Sequence, residues 1–148
     1  MTRTERPAAR IILLDPQGRV LLFRFDPDDR PPLWCTPGGA LDPGEDYANA
    51  ARRELREETG FDLPCGPEIA RRYVEFITIE GVPVSADERY FLVRAPSDVI
   101  DTGGHTALEQ RVMTRWRWCT LAELAALDEQ YFPEDLIQLA AAHAQATR

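Results

Sequence analysis

Three glutamates in the middle of the chain have a spacing that could bind a metal ion. Glu54, Glu57 and Glu58 stand at positions i, i+3 and i+4 of a segment without glycine or proline, and a helix would place them on one face. Such like charges destabilise an isolated helix by about a few tenths of a kcal/mol per pair. We interpret the cluster as a hard-cation site, and a solvated acidic face paired with nearby arginines is the structural alternative.

A cation site of this kind would act on phosphate groups. Mg²⁺ prefers carboxylate oxygens, water and phosphate as ligands, and ions held there would neutralise phosphate charge and generate hydroxide from water. The formal net charge of −8 disfavours a nucleic acid duplex as a partner, because an acidic surface repels a phosphate backbone. The net charge does not exclude a small phosphorylated substrate, since a bound cation makes the local charge positive.

The segment Tyr47–Thr59 that carries the glutamates is the strongest predicted helix. It is rich in Ala, Glu, Arg and Leu, which are good helix formers, and Gly60 is a suitable residue to follow its end. Ala48, Ala51 and Leu55 lie on a neighbouring face, which we expect to pack on a sheet.

Strands are expected on both sides of this helix. Apolar runs over Ala8–Asp15 and Val20–Phe25, separated by a Pro-Gln-Gly turn, predict a hairpin. Further strands are predicted over 33–36, 68–80, 88–94 and 115–119, a loop over 96–104, and helices from Thr120 and over 133–145. This order suits an α+β fold or an α/β/α sandwich around a mixed sheet. Neither a G-x-G-x-x-G nor a Walker A motif is present.

Length and composition indicate a single globular domain over residues 1–148. The three cysteines, an odd number without a C-x-x-C pair, suggest reduced thiols rather than disulfides or a zinc site. The polar start of the chain and the lack of a long apolar run predict no signal peptide and no membrane partner. We therefore expect a cytoplasmic protein, as a monomer or a homodimer.

The sequence around the glutamates resembles a known family motif. From Gly39 to Phe61 it reads GALDPGEDYANAARRELREETGF. This is similar to the Nudix box: Gly, five residues, Glu, seven residues, Arg-Glu, apolar, any, Glu-Glu, any, Gly, apolar. The fixed positions are filled by Gly39, Glu45, Arg53, Glu54, Glu57, Glu58 and Gly60, and the two apolar positions by Leu55 and Phe61.

The resemblance implies a fold, an activity and a cofactor. Nudix proteins are α/β/α sandwiches that mostly hydrolyse a nucleoside diphosphate linked to a further group X, with Mg²⁺ or alternatively Mn²⁺. By position, Glu54 and Glu58 would be metal ligands, and Glu57 a further ligand or the base. The backbone carbonyl of Gly38 would join the coordination.

The resemblance also implies supporting residues. Glu45 would pair with Arg53 and fix the ligating helix, so both are placed in the catalytic set. Gly38 and Gly39 would border the substrate. The base is taken in this family from the helix or from a later loop, and Glu109, after the flexible Gly103-Gly104, is the loop candidate.

Substrate recognition must come from outside the box. Arg24 is the preferred phosphate ligand, because it ends the strand that leads into the loop before the box; Arg10 and Arg72 are further candidates. Aromatic residues that could stack on a base, although aromatics in strands are more often core, are Trp34, Tyr73, Phe76 and Tyr90.

The substrate class is narrowed by what the sequence lacks. Markers typical of the ADP-ribose, diadenosine polyphosphate and coenzyme A subfamilies are absent, which leaves a nucleoside triphosphate or a nucleotide sugar as the expected small-molecule partner. A non-catalytic nucleotide-binding sensor is the main alternative. An isomerase on the same fold is disfavoured, because it would need extra catalytic residues and a longer chain.

Overall fold

The computed structural model describes residues 2–144. Strands and helices follow in the order β1 (Thr4–Leu14), β2 (Val20–Phe25), β3 (Leu33–Cys35), β4 (Gly38–Ala40), α1 (Tyr47–Thr59), β5 (Glu68–Ile77), β6 (Pro83–Arg94), α2 (Ala107–Val112), β7 (Met113–Cys119), α3 (Leu121–Ala125), β8 (Gln130–Phe132) and α4 (Leu136–Ala144). In this range no helix is long and apolar enough to cross a lipid bilayer.

Strand β1 is the centre of a mixed sheet. It pairs in parallel with β6 along its whole length, from Thr4 opposite Val84 to Leu14 opposite Arg94, and β5 pairs antiparallel with β6. On its other edge β1 meets β2 only where Leu14 faces Val20. The hairpin predicted from the sequence is therefore present at its turn, but its strands diverge beyond it.

The segment β3–β4 fills the space between the diverging strands. β3 pairs with β2, and β4 pairs with β1 from Ala8 opposite Ala40 to Arg10 opposite Gly38. The linking residue Pro37 accepts a backbone hydrogen bond from Ile11 at 2.8 Å. This crossing brings the two glycines before the box against the middle of β1.

Both faces of the sheet are covered. Side chains of β1, β2 and β6 pack against α1 on one face, and alternate side chains of the same strands pack against α3 and α4 on the other. Because β1 is enclosed on both sides, Ala8, Ala9 and all residues from Ile11 to Leu14 are buried. The α/β/α sandwich around a mixed sheet is confirmed.

Helix α1 has the predicted limits and clear end signals. Asp46 caps the N-terminus by accepting a hydrogen bond from the Asn49 backbone, and Gly60 ends the helix with a left-handed φ of 82°. Ala51 and Leu55 pack on the sheet as expected. The assignment of Ala48 to that face was wrong, because periodicity does not show how far the sheet covers the first turn; Ala48 is exposed.

Several elements differ from the sequence prediction. The expected strands 68–80 and 88–94 form one hairpin whose arms are β5 and β6, so the first is shorter and the second longer than predicted. The pairings that define β4 and β8 are long-range and left no local signal. Helix α4 starts three residues later than predicted, and its predicted last residue, Gln145, lies outside the described residues.

We predict that Leu55→Ala lowers the free energy of unfolding by about 2–5 kcal/mol, since Leu55 is fully buried between α1 and the sheet. Denaturant unfolding measures the loss. The matched control is Arg56→Ala on the exposed side of the same turn, with a change under about 0.5 kcal/mol. Equal losses for the two variants would contradict this packing.

Candidate active site

The three glutamates of α1 differ in exposure. Glu58 is 3% exposed, and the side chains of Glu54 and Glu57 are 12% and 40% exposed. Glu58 accepts a hydrogen bond from the Gly38 backbone N–H at 3.2 Å. Burial, with the charges of Glu54 and Glu109, raises the pKa of Glu58 well above its usual range. The buried negative charges are thus mutually destabilising unless a cation joins them.

Arg53 supplies positive charge to this cluster. Its guanidinium donates two hydrogen bonds of 2.8 Å to the carboxylate of Glu45 and one of 3.0 Å to the Ala40 carbonyl. Its third nitrogen lies 3.0 Å from Glu54 Oε1 and 3.3 Å from Glu57 Oε2. Arg53 therefore joins β4, the turn after it and α1.

The two glycines of β4 are required by close packing. A Cβ on Gly38 would lie 2.2 Å from the Ala9 carbonyl oxygen, and its φ of 141° disfavours other residues. The Gly38 carbonyl accepts a hydrogen bond from Arg10 at 3.3 Å. A Cβ on Gly39 would lie 2.6 Å from Glu54 Oε1, so this glycine leaves the space in which the Glu54 carboxylate lies.

The loop 101–106, which precedes the helix that carries Glu109, contacts the end of α1. Asp101 donates a backbone hydrogen bond to the Thr59 carbonyl at 2.8 Å, and His105 Nε2 lies 3.0 Å from the Glu58 carbonyl oxygen. Gly104 packs so closely that a Cβ there would lie 2.4 Å from the Glu57 carbonyl oxygen. The loop therefore packs directly on α1.

Glu109 lies on α2 and not in a loop, so the loop assignment was wrong. The sequence Thr-x-x-Glu forms a capping box in which Thr106 and Glu109 exchange hydrogen bonds of 2.9 and 3.1 Å, and this starts a short helix. Glu109 lines the same cavity as Glu54 and Glu58. Burial raises the pKa of both of these carboxyls, and the charge of Glu109 adds to the rise. The structure thus brings a fourth carboxylate to the site.

A cavity of about 950 Å³ adjoins these carboxylates, at the upper end of the usual size for ligand pockets. Its floor is the face of β5, β6 and β1 that α4 leaves uncovered. The loop after β2 and the β5–β6 hairpin approach each other over it, where Arg30 donates hydrogen bonds to the carbonyls of Ile77 and Thr78 at 2.5 and 3.1 Å. The cavity has an acidic end at α1 and arginines along its floor and rim, namely Arg6, Arg10, Arg30 and Arg72.

The preferred phosphate ligand from the sequence, Arg24, lies elsewhere. It donates two hydrogen bonds of 2.9 Å to Glu129 and is not among the residues that line the cavity. Trp34 donates to the same carboxylate at 2.8 Å and is buried in the core. The two contacts, Arg24 first, hold the pKa of Glu129 at about 2. Phosphate binding by Arg24 stays a prediction, and it would require Arg24 to leave Glu129.

Of the other sequence candidates, Arg10, Arg72, Phe76 and Tyr90 line the cavity. Tyr73 is 70% exposed and points elsewhere. Arg72 is paired with Asp135, and Arg10 with Glu88 at 3.1 Å. Sequence reasoning missed the cavity residues Arg6 and Glu88. The available signal was the alternation along β1, where Arg6, Ala8 and Arg10 share one face.

The site fits a divalent cation by the chemistry of its donors. Carboxylate oxygens and the Gly38 carbonyl are the hard ligands that Mg²⁺ and Mn²⁺ prefer. Within residues 2–144, no three His, Cys, Asp or Glu side chains stand in a geometry that would hold an ion as they are. Glu54 and Glu57 are held instead by Arg53, so an ion would have to share or replace that positive charge.

Comparisons with known proteins show the family to which the chain belongs. A family model described as the NUDIX domain matches residues 4–140. An RNA pyrophosphohydrolase of Sphingopyxis alaskensis is 32% identical over 133 residues, covering 82% of each chain. The MutT protein from Methanosarcina mazei Go1 has a similar structure, with a TM-score of 0.74 and 18% identity over 98% of this chain and 99% of that one. The Ap4A hydrolase of C. elegans gives 0.65 and 20% identity over 95% and 98%.

The chain belongs to the Nudix family, as its motif indicated. Within that family it is a Nudix-type pyrophosphohydrolase. The likeness to the solved structures, each under 25% identical, concerns the fold.

We predict that Gly39→Ala weakens Mn²⁺ binding by about 10- to 100-fold, the range for groups that position metal ligands. The new Cβ would displace the mobile end of Glu54 and not the backbone, so the fold should persist. Electron paramagnetic resonance of free Mn²⁺ measures the affinity. Gly103→Ala is the control, since its Cβ would come no closer than 3.1 Å to a neighbouring atom. Unchanged affinity in Gly39→Ala would refute the role of this space.

Proposed function

We propose that this protein is a Mg²⁺-dependent hydrolase that cleaves the diphosphate linkage of a nucleoside diphosphate joined to a further group, with nucleoside triphosphates and nucleotide sugars as the first substrate class. The observation that carries the proposal is the group of carboxylates Glu54, Glu58 and Glu109 at the end of a cavity of nucleotide size. Without a bound cation, like charges placed so close together, with that of Glu58 buried, would only destabilise the protein.

Glu54, Glu58 and the Gly38 carbonyl would hold the ion, with Glu57 beside them. When bound, the ion supplies positive charge that offsets the phosphate oxygens. Arg53 keeps Glu54 and Glu57 oriented through its own contacts to Glu45 and Ala40. Arg10, at 3.3 Å from the Gly38 carbonyl, fixes the orientation of that peptide.

The general base is Glu57 or Glu109. Glu57 is the more exposed of the α1 carboxylates, at 40%, and can exchange protons with solvent, but Arg53 holds one of its oxygens. Glu109 lines the cavity, and one of its oxygens accepts the capping hydrogen bond from Thr106. Each therefore has a second oxygen that accepts no hydrogen bond within residues 2–144, and kinetics of single variants must assign the role.

A second candidate substrate is the 5′-triphosphate end of RNA. It is favoured by the RNA pyrophosphohydrolase of S. alaskensis, which is 32% identical to this chain. The net charge of −8 disfavours a duplex, which presents two phosphate backbones, but a single 5′ end presents far less backbone charge to the protein. A nucleotide sensor without catalysis, the alternative from the sequence, is disfavoured by the likeness to a pyrophosphohydrolase.

We expect Mg²⁺-dependent release of phosphate or pyrophosphate from at least one member of a substrate panel. The panel contains nucleoside triphosphates, nucleotide sugars, dinucleoside polyphosphates and a 5′-triphosphorylated oligoribonucleotide, with products identified by mass spectrometry. Binding without turnover across the whole panel would overturn the proposed substrate classes.

For the substrate so found, we expect Glu54→Gln and Glu58→Gln each to lower kcat/KM by about 100-fold or more, because each removes a negatively charged ligand. Steady-state kinetics at saturating Mg²⁺ measure the loss, and circular dichroism checks the fold. Arg56→Gln, on the exposed side of α1, is the control. Wild-type kinetics in both carboxamide variants would exclude these ligands.

The base is identified by comparing Glu57→Gln with Glu109→Gln. Removal of a general base costs about 10²- to 10⁴-fold in kcat, so one variant should lose that much and the other far less. Mn²⁺ affinity, measured in parallel, separates loss of a base from loss of a ligand. If kcat survives in both variants, neither residue is the base.

A further inference from the structure

The floor of the cavity beyond the carboxylates is built from three strands in register. Arg6 of β1 lies opposite Ala86 of β6, which lies opposite Val74 of β5, and the next pair outward is Val84 with Phe76. Apart from Arg6, this part of the floor is apolar. Arg6 lies on the same face of the sheet as Arg10, which is four residues further along β1. The Cα atoms of the two arginines are therefore about 13 Å apart, and Arg10 is the one that contacts the Gly38 carbonyl.

Arg6 has an unused hydrogen-bonding group in this floor. Its NH1 atom is buried and has no hydrogen-bond partner within residues 2–144. The guanidinium lies over the ring of Phe76, 5.7 Å from the centroid, and both residues line the cavity. A buried donor without a partner is rare in folded proteins and indicates an acceptor that the chain itself does not provide.

The neighbouring polar groups of the floor are already paired. Glu88 accepts from Arg10 through Oε2 at 3.1 Å and from the Tyr90 hydroxyl through Oε1 at 3.3 Å. Arg72 is bound to Asp135. A ligand that enters this part of the cavity therefore meets apolar side chains, an aromatic ring and the donors of Arg6.

We propose that Arg6 and Phe76 form the nucleobase subsite and that Arg6 selects a base with two acceptors on one edge, as guanine has in O6 and N7. This inference rests on the proposed function for the position of the diphosphate at α1, and it names the base. Adenine presents an acceptor and a donor on the same edge, and its amino group would face the N–H groups of Arg6.

The surroundings of Arg6 favour a base over a second phosphate. The Phe76 ring and the apolar side chain of Val74, which both line the cavity, offer surface to a flat, weakly hydrated ring. A phosphate would need its remaining oxygens hydrated or bound, and the floor supplies no further donor beside Arg6 that is not already paired with a carboxylate. The separation from Arg10 along β1 suits the length of a nucleoside extending from the carboxylate end.

The test is binding of nucleoside monophosphates without metal, which requires no hydrolysis. By isothermal titration calorimetry, GMP and IMP should bind at least about five-fold more tightly than AMP, the lower limit for a bidentate base contact. IMP shares O6 and N7 with GMP but lacks the 2-amino group. Arg6→Gln should remove the preference by weakening GMP and IMP while leaving AMP nearly unchanged.

Two further variants make the result decisive. Arg6→Lys keeps the charge but not the two parallel donors, so it should also lose the preference. Arg117→Gln, which removes an exposed arginine paired with Glu123, should keep it. Equal weakening of GMP and AMP in Arg6→Gln would show a phosphate contact and overturn the proposal, as would equal affinity of the wild type for all three nucleotides.

Failure here is separable from failure of the proposed function. A protein that prefers GMP through Arg6 but cleaves nothing in the substrate panel retains the base subsite and loses the hydrolase. A protein that cleaves GTP and ATP with the same kcat/KM, before and after Arg6→Gln, retains the hydrolase and loses the subsite.

Discussion

The placement of the positive charge of Arg53 among the carboxylates of Glu45, Glu54 and Glu57 supports the rest of the site. The Glu45 carboxylate and the Ala40 carbonyl accept hydrogen bonds from Arg53 and fix the plane of its guanidinium group. The remaining nitrogen of that group is thereby oriented towards Glu54 and Glu57. A lysine could not make these contacts together, because only a guanidinium has five donors in a rigid plane. The residues that would bind a cation are thereby held together when no cation is present.

The second constraint is the divergence of β1 and β2. Had these strands paired along their full length, β1 would offer no edge to β4 and α1 would have no glycine segment against its carboxylates. The crossing β3–β4 segment uses that edge, and its glycines allow approaches of 2.2 to 2.6 Å to a position where any other residue would have its Cβ. Separation of two strands thus creates both the acidic end of the cavity and its opening.

The local part of this arrangement could be predicted from the sequence. The limits of α1, the face shared by its glutamates and the pairing of Glu45 with Arg53 all lie within about twenty residues, where helical spacing and the family motif apply. The substrate side could not be derived in this way. Arg24 is predicted to bind phosphate because it lies near the end of a strand. The carboxylate that binds it in the structure, Glu129, is far away in the chain and gives no local signal. The spacing of Thr106 and Glu109 was a local signal for the start of α2, and the sequence prediction missed it.

The residues of the floor show the same limit. The alternation of Arg6, Ala8 and Arg10 along β1 indicates a shared face, but not which face, nor that Glu88 satisfies Arg10 while Arg6 keeps an unused donor. That distinction depends on the register of β1 against β6. A single sequence contains no direct signal for parallel pairing between residues so far apart.

The parallel pairing of β1 with β6 joins residue 4 to residue 84, and this has a consequence for biosynthesis. Pairings between distant residues form slowly, because the intervening chain must be ordered first. A nascent chain that has emerged only as far as α1 already contains every residue of the acidic helix, but it has no partner for β1 and no cavity floor. The cavity floor is therefore completed late in folding, after the helix that carries the glutamates has been made.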